Sequence, residues 1–185
     1  MKKTLIISML LPLIYSSNAL SNDASSQKHT FNLGYGGYYF TNTLYNGLHG
    51  SYTLEFDDQL GILTSLSWVN GKASSKGTHN NKVIDINKKF HYLSLTSGPI
   101  WRFNPYVSVY GSIGFHLATS SELKKTSKHG ITNLSKNRGL AWGSGFMINP
   151  IESIAIKVGY EGAKTSLRKK DEILKAFNIG IGYRF

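Results

Sequence analysis

An all-β chain, closed as an eight-stranded antiparallel transmembrane up-and-down β-barrel, is the fold that this sequence predicts. Three observations carry it. The N-terminus has the layout of an export signal, apolar and polar residues alternate with period two through most of the chain, and the connections between the alternating segments are by turns short and long.

The export signal comes first. Lys2 and Lys3 precede an apolar run from Leu5 to Tyr15, and small residues follow at Ser17 and Ala19. This is the three-part plan of a secretory signal peptide, with cleavage expected after Ala19 and Ala24 as the second choice. The expected organisation is a cleaved segment 1–19 and a barrel over 20–185. The run is shorter than the roughly 20 apolar residues a helix needs to span a bilayer, and Gly, Ser, Lys or Asn interrupts every later hydrophobic stretch. That excludes a helical membrane protein. With no cysteine in the chain, neither disulfides nor thiolate metal sites can brace the fold in an oxidising periplasm.

Nineteen glycines and eleven tyrosines against four prolines suit curled strands better than a soluble globular core. The C-terminal strand is the clearest: Phe177, Ile179, Ile181, Tyr183 and Phe185 alternate with Asn178, Gly180, Gly182 and Arg184. Period two with one apolar face means two different environments on the two sides. Upstream, Leu140, Trp142, Phe146 and Ile148 share one parity, as do Ile154, Ile156, Val158 and Tyr160. Val107, Val109, Ile113, Phe115 and Leu117 oppose Tyr106, Ser108, Tyr110, Ser112, Gly114 and His116, and Leu93, Leu95, Trp101 and Phe103 oppose Tyr92, Ser94, Thr96, Gly98 and Arg102. Leu60, Ile62, Leu66 and Trp68; Leu48, Tyr52, Leu54 and Phe56; and Phe31, Leu33, Tyr35 and Tyr39 complete about eight strands, the small end of the membrane-barrel range.

Tight turns are expected at "FDDQ", "FNPY" and "NPIES", and long polar loops near 72–89, 119–138 and 164–175, with a shorter link near 41–46. Short periplasmic turns and longer outer loops are the membrane-barrel habit, so both chain ends belong on the periplasmic side. A soluble lipocalin-like barrel would put the bulky face inside. Here the other face carries Gly, Ser, Asn and charges, unsuited to a core against water, so the bulky face meets lipid and aromatics such as Trp68, Trp101, Tyr160 and Phe185 sit near the interfaces.

Parity places Glu55, Arg102, Lys157, Glu161 and Arg184 in the lumen with tyrosines and His49, where buried charges must pair. An eight-stranded interior is just wide enough for side chains to fill, which favours a plug over a pore. His49-Gly50-Ser51 offers a His-x-Ser pair of the kind found in an outer-membrane lipid A deacylase. His49, Ser51 and Glu55 share the lumen parity, however, where an acyl chain in the bilayer cannot reach, so no enzyme is expected. No His, Asp or Glu spacing suggests a metal, no cofactor is implied, and His79, His91, His116 and His129 read as loop or lumen polar residues.

Charge is the most informative signal for function. Residues 72–89 hold Lys72, Lys76, Lys82, Lys88 and Lys89 against Asp85, a net of +4, and residues 122–138 hold Lys124, Lys125, Lys128, Lys136 and Arg138 against Glu122, again +4. Residues 164–175 hold Lys164, Arg168, Lys169, Lys170 and Lys175 against Asp171 and Glu172, a net of +3, so these three segments account for the whole formal charge of +11. Clustered lysines attract phosphates and sulfates. Lipopolysaccharide phosphates are unavoidable neighbours of such loops, sulfated glycans or acidic host proteins are further candidates, and nucleic acid fits the charge but not the compartment.

Several motifs resemble a known family. Gly98-Pro99 with Arg102, Tyr110-Gly111, Asn149-Pro150 with Glu152, Tyr160-Glu161 and the terminal Gly182-Tyr183-Arg184-Phe185 look like the Ail, Lom, PagC and outer-membrane protein X family of eight-stranded barrels, over essentially the whole mature chain. The resemblance implies outer-membrane residence and, for some members, host-matrix adhesion, invasion or resistance to serum complement, with complement regulators among the possible partners. For others it implies a structural or stress-responsive envelope role. The loops match no motif that could be carried over residue by residue. The terminal aromatic resembles the signal read by the barrel assembly machinery, which would give Phe185 a role in insertion.

Overall fold

A computed structural model of the chain describes residues 27–40, 43–79, 82–126, 129–167 and 170–185, with the backbone alone described over 73–88, 122–134 and 166–171 inside those ranges. Eight strands follow one another: β1 (Lys28–Phe40), β2 (Thr43–Glu55), β3 (Leu60–His79), β4 (Lys82–Asn104), β5 (Val107–Thr126), β6 (His129–Ile151), β7 (Ile154–Leu167) and β8 (Lys170–Arg184). Each pairs antiparallel with its sequence neighbour, and β1 pairs with β8 to close the barrel. Closure removes every edge across the bilayer, the only way a sheet can satisfy its backbone in hydrocarbon.

Short turns sit at one end, held by side chains that take over backbone hydrogen bonding. Asp57 Oδ1 accepts from the amides of Gln59 and Leu60 at 2.8 and 2.7 Å. Asn104 Oδ1 accepts from Tyr106 and Val107 at 2.9 and 2.8 Å. These Asx turns are why Asp and Asn stand where the chain reverses. Tyr106 belongs to this turn, exposed, and not to the lumen face on which its parity placed it; a bulge between Arg102 and Asn104 breaks the alternation there.

At the other end the expected long loops are mostly strand. β3 and β4 pair from Leu60↔Trp101 up to His79↔Lys82, and β5 and β6 up to Thr126↔His129. β7 and β8 likewise pair up to Leu167↔Lys170, and β1 and β2 up to Phe40↔Thr43, so the short link near 41–46 is a hairpin too. The ladder of β2 on β3, by contrast, stops at Gly47↔Val69, and that of β6 on β7 at Ala141↔Ala163. β3 to β6, at 20, 23, 20 and 23 residues, therefore rise beyond their neighbours as a four-stranded tongue. A tilted transmembrane strand needs only about 9–11 residues. The apolar–polar alternation of the sequence fades in the tongue, but the backbone ladder runs on because its amides and carbonyls still have to be satisfied.

The outward face is apolar: Phe115 and Phe177 are 73% and 70% exposed in the isolated chain, a burial deficit that lipid makes good. The lumen is layered. At the outer mouth Tyr38, Phe40, Tyr45, Val69, Phe90, Tyr92 and Leu174 pack with four alanines, and nearer the turns Leu63, Ile100, Tyr110, Met147 and Ala155 form a second apolar group. The interior is therefore not small and polar throughout, as the alternation predicts, because parity says which side a residue faces and not what it meets there. Gly36 and Gly47 make the outer layer possible: a Cβ on either would fall within 3.0 Å of the Tyr38 ring.

Candidate functional site

Two constellations carry the chain's charged chemistry, one in the lumen and one at the outer end. In the lumen the five charges do not form one network. Glu55 on β2 takes an ion pair from Arg102 on β4 and another from Arg184 on β8, one to each carboxylate oxygen. Arg102 also donates to the carbonyl of Pro105 at 2.9 Å and contacts Asn149 Oδ1 at 3.4 Å, tying the layer to two turns.

The other two charges lie deeper, with different partners. Lys157 Nζ lies 2.8 Å from His49 Nε2, donates to Ser65 Oγ at 3.0 Å, and sits 4.9 Å from the Tyr110 ring centroid. Glu161 accepts from Ser67, Tyr92 and Ser94, each at 2.6 Å. His49 Nδ1 is 2.9 Å from Ser67 Oγ. The His-x-Ser pair read from the sequence is not assembled: His49 partners Ser67 of β3, Ser51 Oγ is buried without a hydrogen bond, and Glu55 is committed to its arginines. His116 is also a lumen residue, stacked on Tyr92 at 5.6 Å and 3.3 Å from Thr165 Oγ1, whereas His91 points outward and is exposed. His79 and His129 lie in the tongue, where the backbone alone bears on them.

At the outer end, Lys72, Lys89, Lys136 and Arg138 are exposed on the outward wall. Lys72 pairs in register with Lys89, Arg138 with Leu117 and Lys136 with Thr119. The backbones of Lys76, Lys82, Lys88, Lys124, Lys125 and Lys170 lie in the tongue and at the head of β8. Lys128, Arg168 and Lys169 fall outside the described residues.

One feature escaped the reading of these residues as loop. Lys72 continues the outward parity of Trp68, Lys89 that of Leu93, Arg138 and Lys136 that of Leu140, Lys164 that of Tyr160, and Lys175 that of Phe177. Six cations thus ring the barrel within four residues of its lipid-facing band, and Lys164 and Lys175 join the four already named. The signal was available: the parity of the apolar stripe, carried a further turn of the pleat, lands on a cation on five of the eight strands.

A closed antiparallel barrel of eight strands with a lipid-facing band, short turns at one end and a basic tongue at the other defines an outer-membrane β-barrel. The chain belongs to the enterobacterial Ail/Lom family, whose model matches residues 2–185. It is 32% identical to the virulence membrane protein PagC of Salmonella typhimurium, over 99% of this chain and 100% of that one. Outer membrane protein X of Enterobacter cloacae is 29% identical over 76% of this chain and 74% of its own length. Among solved structures, Ail of Yersinia pestis, the attachment invasion locus protein, in complex with the heparin analogue sucrose octasulfate, superposes with a TM-score of 0.68 at 26% identity, covering 86% of this chain and 99% of that one.

Proposed function

We propose that the protein is a non-enzymatic surface adhesin or serum-resistance factor that recognises polyanions, sulfated glycans above all, through its basic outer end. One observation carries this reading: the three outer hairpins, 72–89, 122–138 and 164–175, hold the entire formal charge of +11. Concentrated on one end, that charge both steers anions to the surface and binds them. The naming of the similar Ail protein for attachment and invasion, and its crystallisation with a sulfated heparin analogue, support the same chemistry here.

Neutralising Lys124, Lys125 and Lys128 together, or Arg168, Lys169 and Lys170 together, should weaken heparin binding by the purified barrel and leave folding intact. Wild-type binding should fall as salt rises, since screening at physiological ionic strength acts over about 8 Å. Undiminished binding by both triple variants, with no salt dependence, would leave the apolar tongue residues Val83, Ile84, Ile131 and Leu134 as the contact instead. Display in a non-adherent, serum-sensitive strain then asks whether cell attachment or serum survival follows.

A second reading, an envelope role in packing lipopolysaccharide, is favoured by the ring at the edge of the lipid-facing band. Lys72, Lys89, Lys136 and Arg138 are exposed on the outward wall within four residues of Trp68, Leu93 and Leu140, and cations just beyond a lipid-facing band can reach anionic headgroups. Charge-neutral replacements of these four should reduce the stabilisation of the barrel by lipopolysaccharide relative to phospholipid, while the tip triples leave it unchanged. The reverse pattern would assign the ring to soluble ligands.

A further inference from the structure

Lys157 and Glu161 share the lumen face of β7 but stand four residues apart, roughly 13 Å along a strand. Each is buried, and each finds its hydrogen bonds on other strands: Lys157 on β2 and β3, Glu161 on β3 and β4. What lies between them is His49 and Ser67. We infer that His49 is held as the neutral Nδ1–H tautomer and is the positioning residue that joins the two buried charges into a single directed hydrogen-bond relay across the lumen.

The direction follows from what each group can do. A lysine ammonium donates and cannot accept, so at 2.8 Å His49 Nε2 must be the acceptor. A neutral imidazole with Nε2 accepting carries its proton on Nδ1, which then donates to Ser67 Oγ at 2.9 Å. The Ser67 hydroxyl, having accepted, turns its own proton to Glu161 Oε2 at 2.6 Å. On the other oxygen Tyr92 and Ser94 each donate at 2.6 Å. Three hydroxyl donors converging on one side chain suit a carboxylate, which only accepts, and not a carboxylic acid.

Running the relay backwards would require one concerted shift. The Nζ–H bond breaks as Nε2–H forms, Nδ1–H breaks as the new Oγ–H forms, and the original Oγ–H breaks as Oε2–H forms, leaving a neutral amine and a neutral acid. The acid would reverse its bond with Ser67, Oε2–H now donating to Oγ, and the bonds from Tyr92 and Ser94 to the carboxyl and from Lys157 to Ser65 would all lose their charge assistance. The forward direction therefore holds. It also settles what Ser67 is not: the ring nitrogen facing it carries a proton and its hydroxyl proton is committed to Glu161, so His49 cannot act on it as a general base.

The test uses the full barrel folded in nanodiscs and a long-range proton–nitrogen correlation spectrum of its histidines, with the His49 signals assigned by their loss in His49→Gln. The expected pattern is neutral Nδ1–H; an Nε2–H tautomer or an imidazolium would overturn the relay. In Lys157→Met, where Ser67 still accepts from Nδ1–H, the tautomer should persist while the Nε2 signal shifts for want of its donor, and an unshifted Nε2 would show that Lys157 does not donate to it. Glutamine can replace the ring with one acceptor and one donor, whereas leucine offers neither. His49→Leu should thus raise the unfolding equilibrium constant roughly tenfold or more above that of His49→Gln, and equal values would remove the bridging role. Should the leucine variant fail to fold, the wild-type and Lys157→Met spectra still decide the matter.

Discussion

Glu55 shows how much a single side chain can organise. It is 5% exposed and pairs with two guanidiniums that reach it from β4 and from β8, at positions 47 and 129 residues away. Removing one partner of a buried pair leaves uncompensated charge, a loss of about 3–5 kcal/mol. Glu55→Gln should therefore lower the unfolding free energy of the micelle-folded barrel by about 3 kcal/mol or more, read from urea titration; a loss near zero would mean that solvent reaches the arginines. Asp57 acts differently, at the exposed turn. The amides of Gln59 and Leu60 hold its carboxyl below the usual carboxylate range. A depressed folded value adds stability that is present above the unfolded value, about 3.9, and lost as pH falls through the folded one. Amide exchange at Gln59 and Leu60 should accelerate in that acidic window. In Asp57→Asn, whose amide oxygen still accepts, the acceleration should vanish, and its persistence would place the sensitive group elsewhere. Neither set of partners was legible in the sequence. Parity put Glu55, Arg102 and Arg184 on one face, but which charges meet depends on strand stagger around the barrel, and that is why five expected partners resolve into two separate groups.

At the scale of the strand, legibility followed the solvent. Where lipid lies on one side, residues such as Phe177, Ile179 and Ile181 declare the strand and its outward face. Above the bilayer the contrast between faces disappears, and segments 72–79 and 82–89 read as loop although the backbone ladder runs on. The apolar outer layer was missed for a related reason: Phe90 and Tyr38 have lumen parity, but a rule that expects polar residues inside gives them no partner until Tyr45 and Phe40 close over them, with ring centroids of 4.8 and 5.1 Å to Phe90. The tongue also has a practical consequence. Because β3 and β4 stay paired at Lys72↔Lys89, replacing residues 74–87 with Asn-Gly should give a shorter hairpin on an intact barrel. Heat-modifiable migration should be retained and heparin binding reduced, since Lys76 and Lys82 leave with the segment. Loss of folding would show that the tongue is needed for insertion. Phe185 belongs at this scale too. Its amide and carbonyl close the β1–β8 seam on His29 at 2.8 and 2.7 Å, and its ring stacks on the His29 ring at 5.7 Å. We propose that it also serves as an assembly signal, so Phe185→Ala should slow insertion in cells more than it lowers the stability of the refolded barrel.

For the whole molecule, the question is whether so narrow a cylinder conducts. An eight-stranded interior is filled by side chains, and here it is filled in successive layers of differing chemistry. An ion entering from the turns meets Glu55 bridged to Arg102 and Arg184. Beyond them stand Leu63, Ile100, Tyr110 and Met147, where a bare ion has no ligands. The Lys157–His49–Ser67–Glu161 relay crosses the lumen next, with its hydrogen bonds directed inward rather than toward a passing ion. Tyr38, Phe40, Tyr45 and Phe90 close the outer mouth. Opening any one layer leaves the others in place. The purified barrel should therefore show no stable conductance steps in a planar bilayer, and neither should Tyr38→Ala with Phe90→Ala, which removes only the outermost layer. Steady, ion-selective channels in the wild type would mean that the layers open in the membrane, and the plug would have to be abandoned. Channels in the double variant alone would place the whole barrier at the aromatic mouth and leave the buried charges to stability.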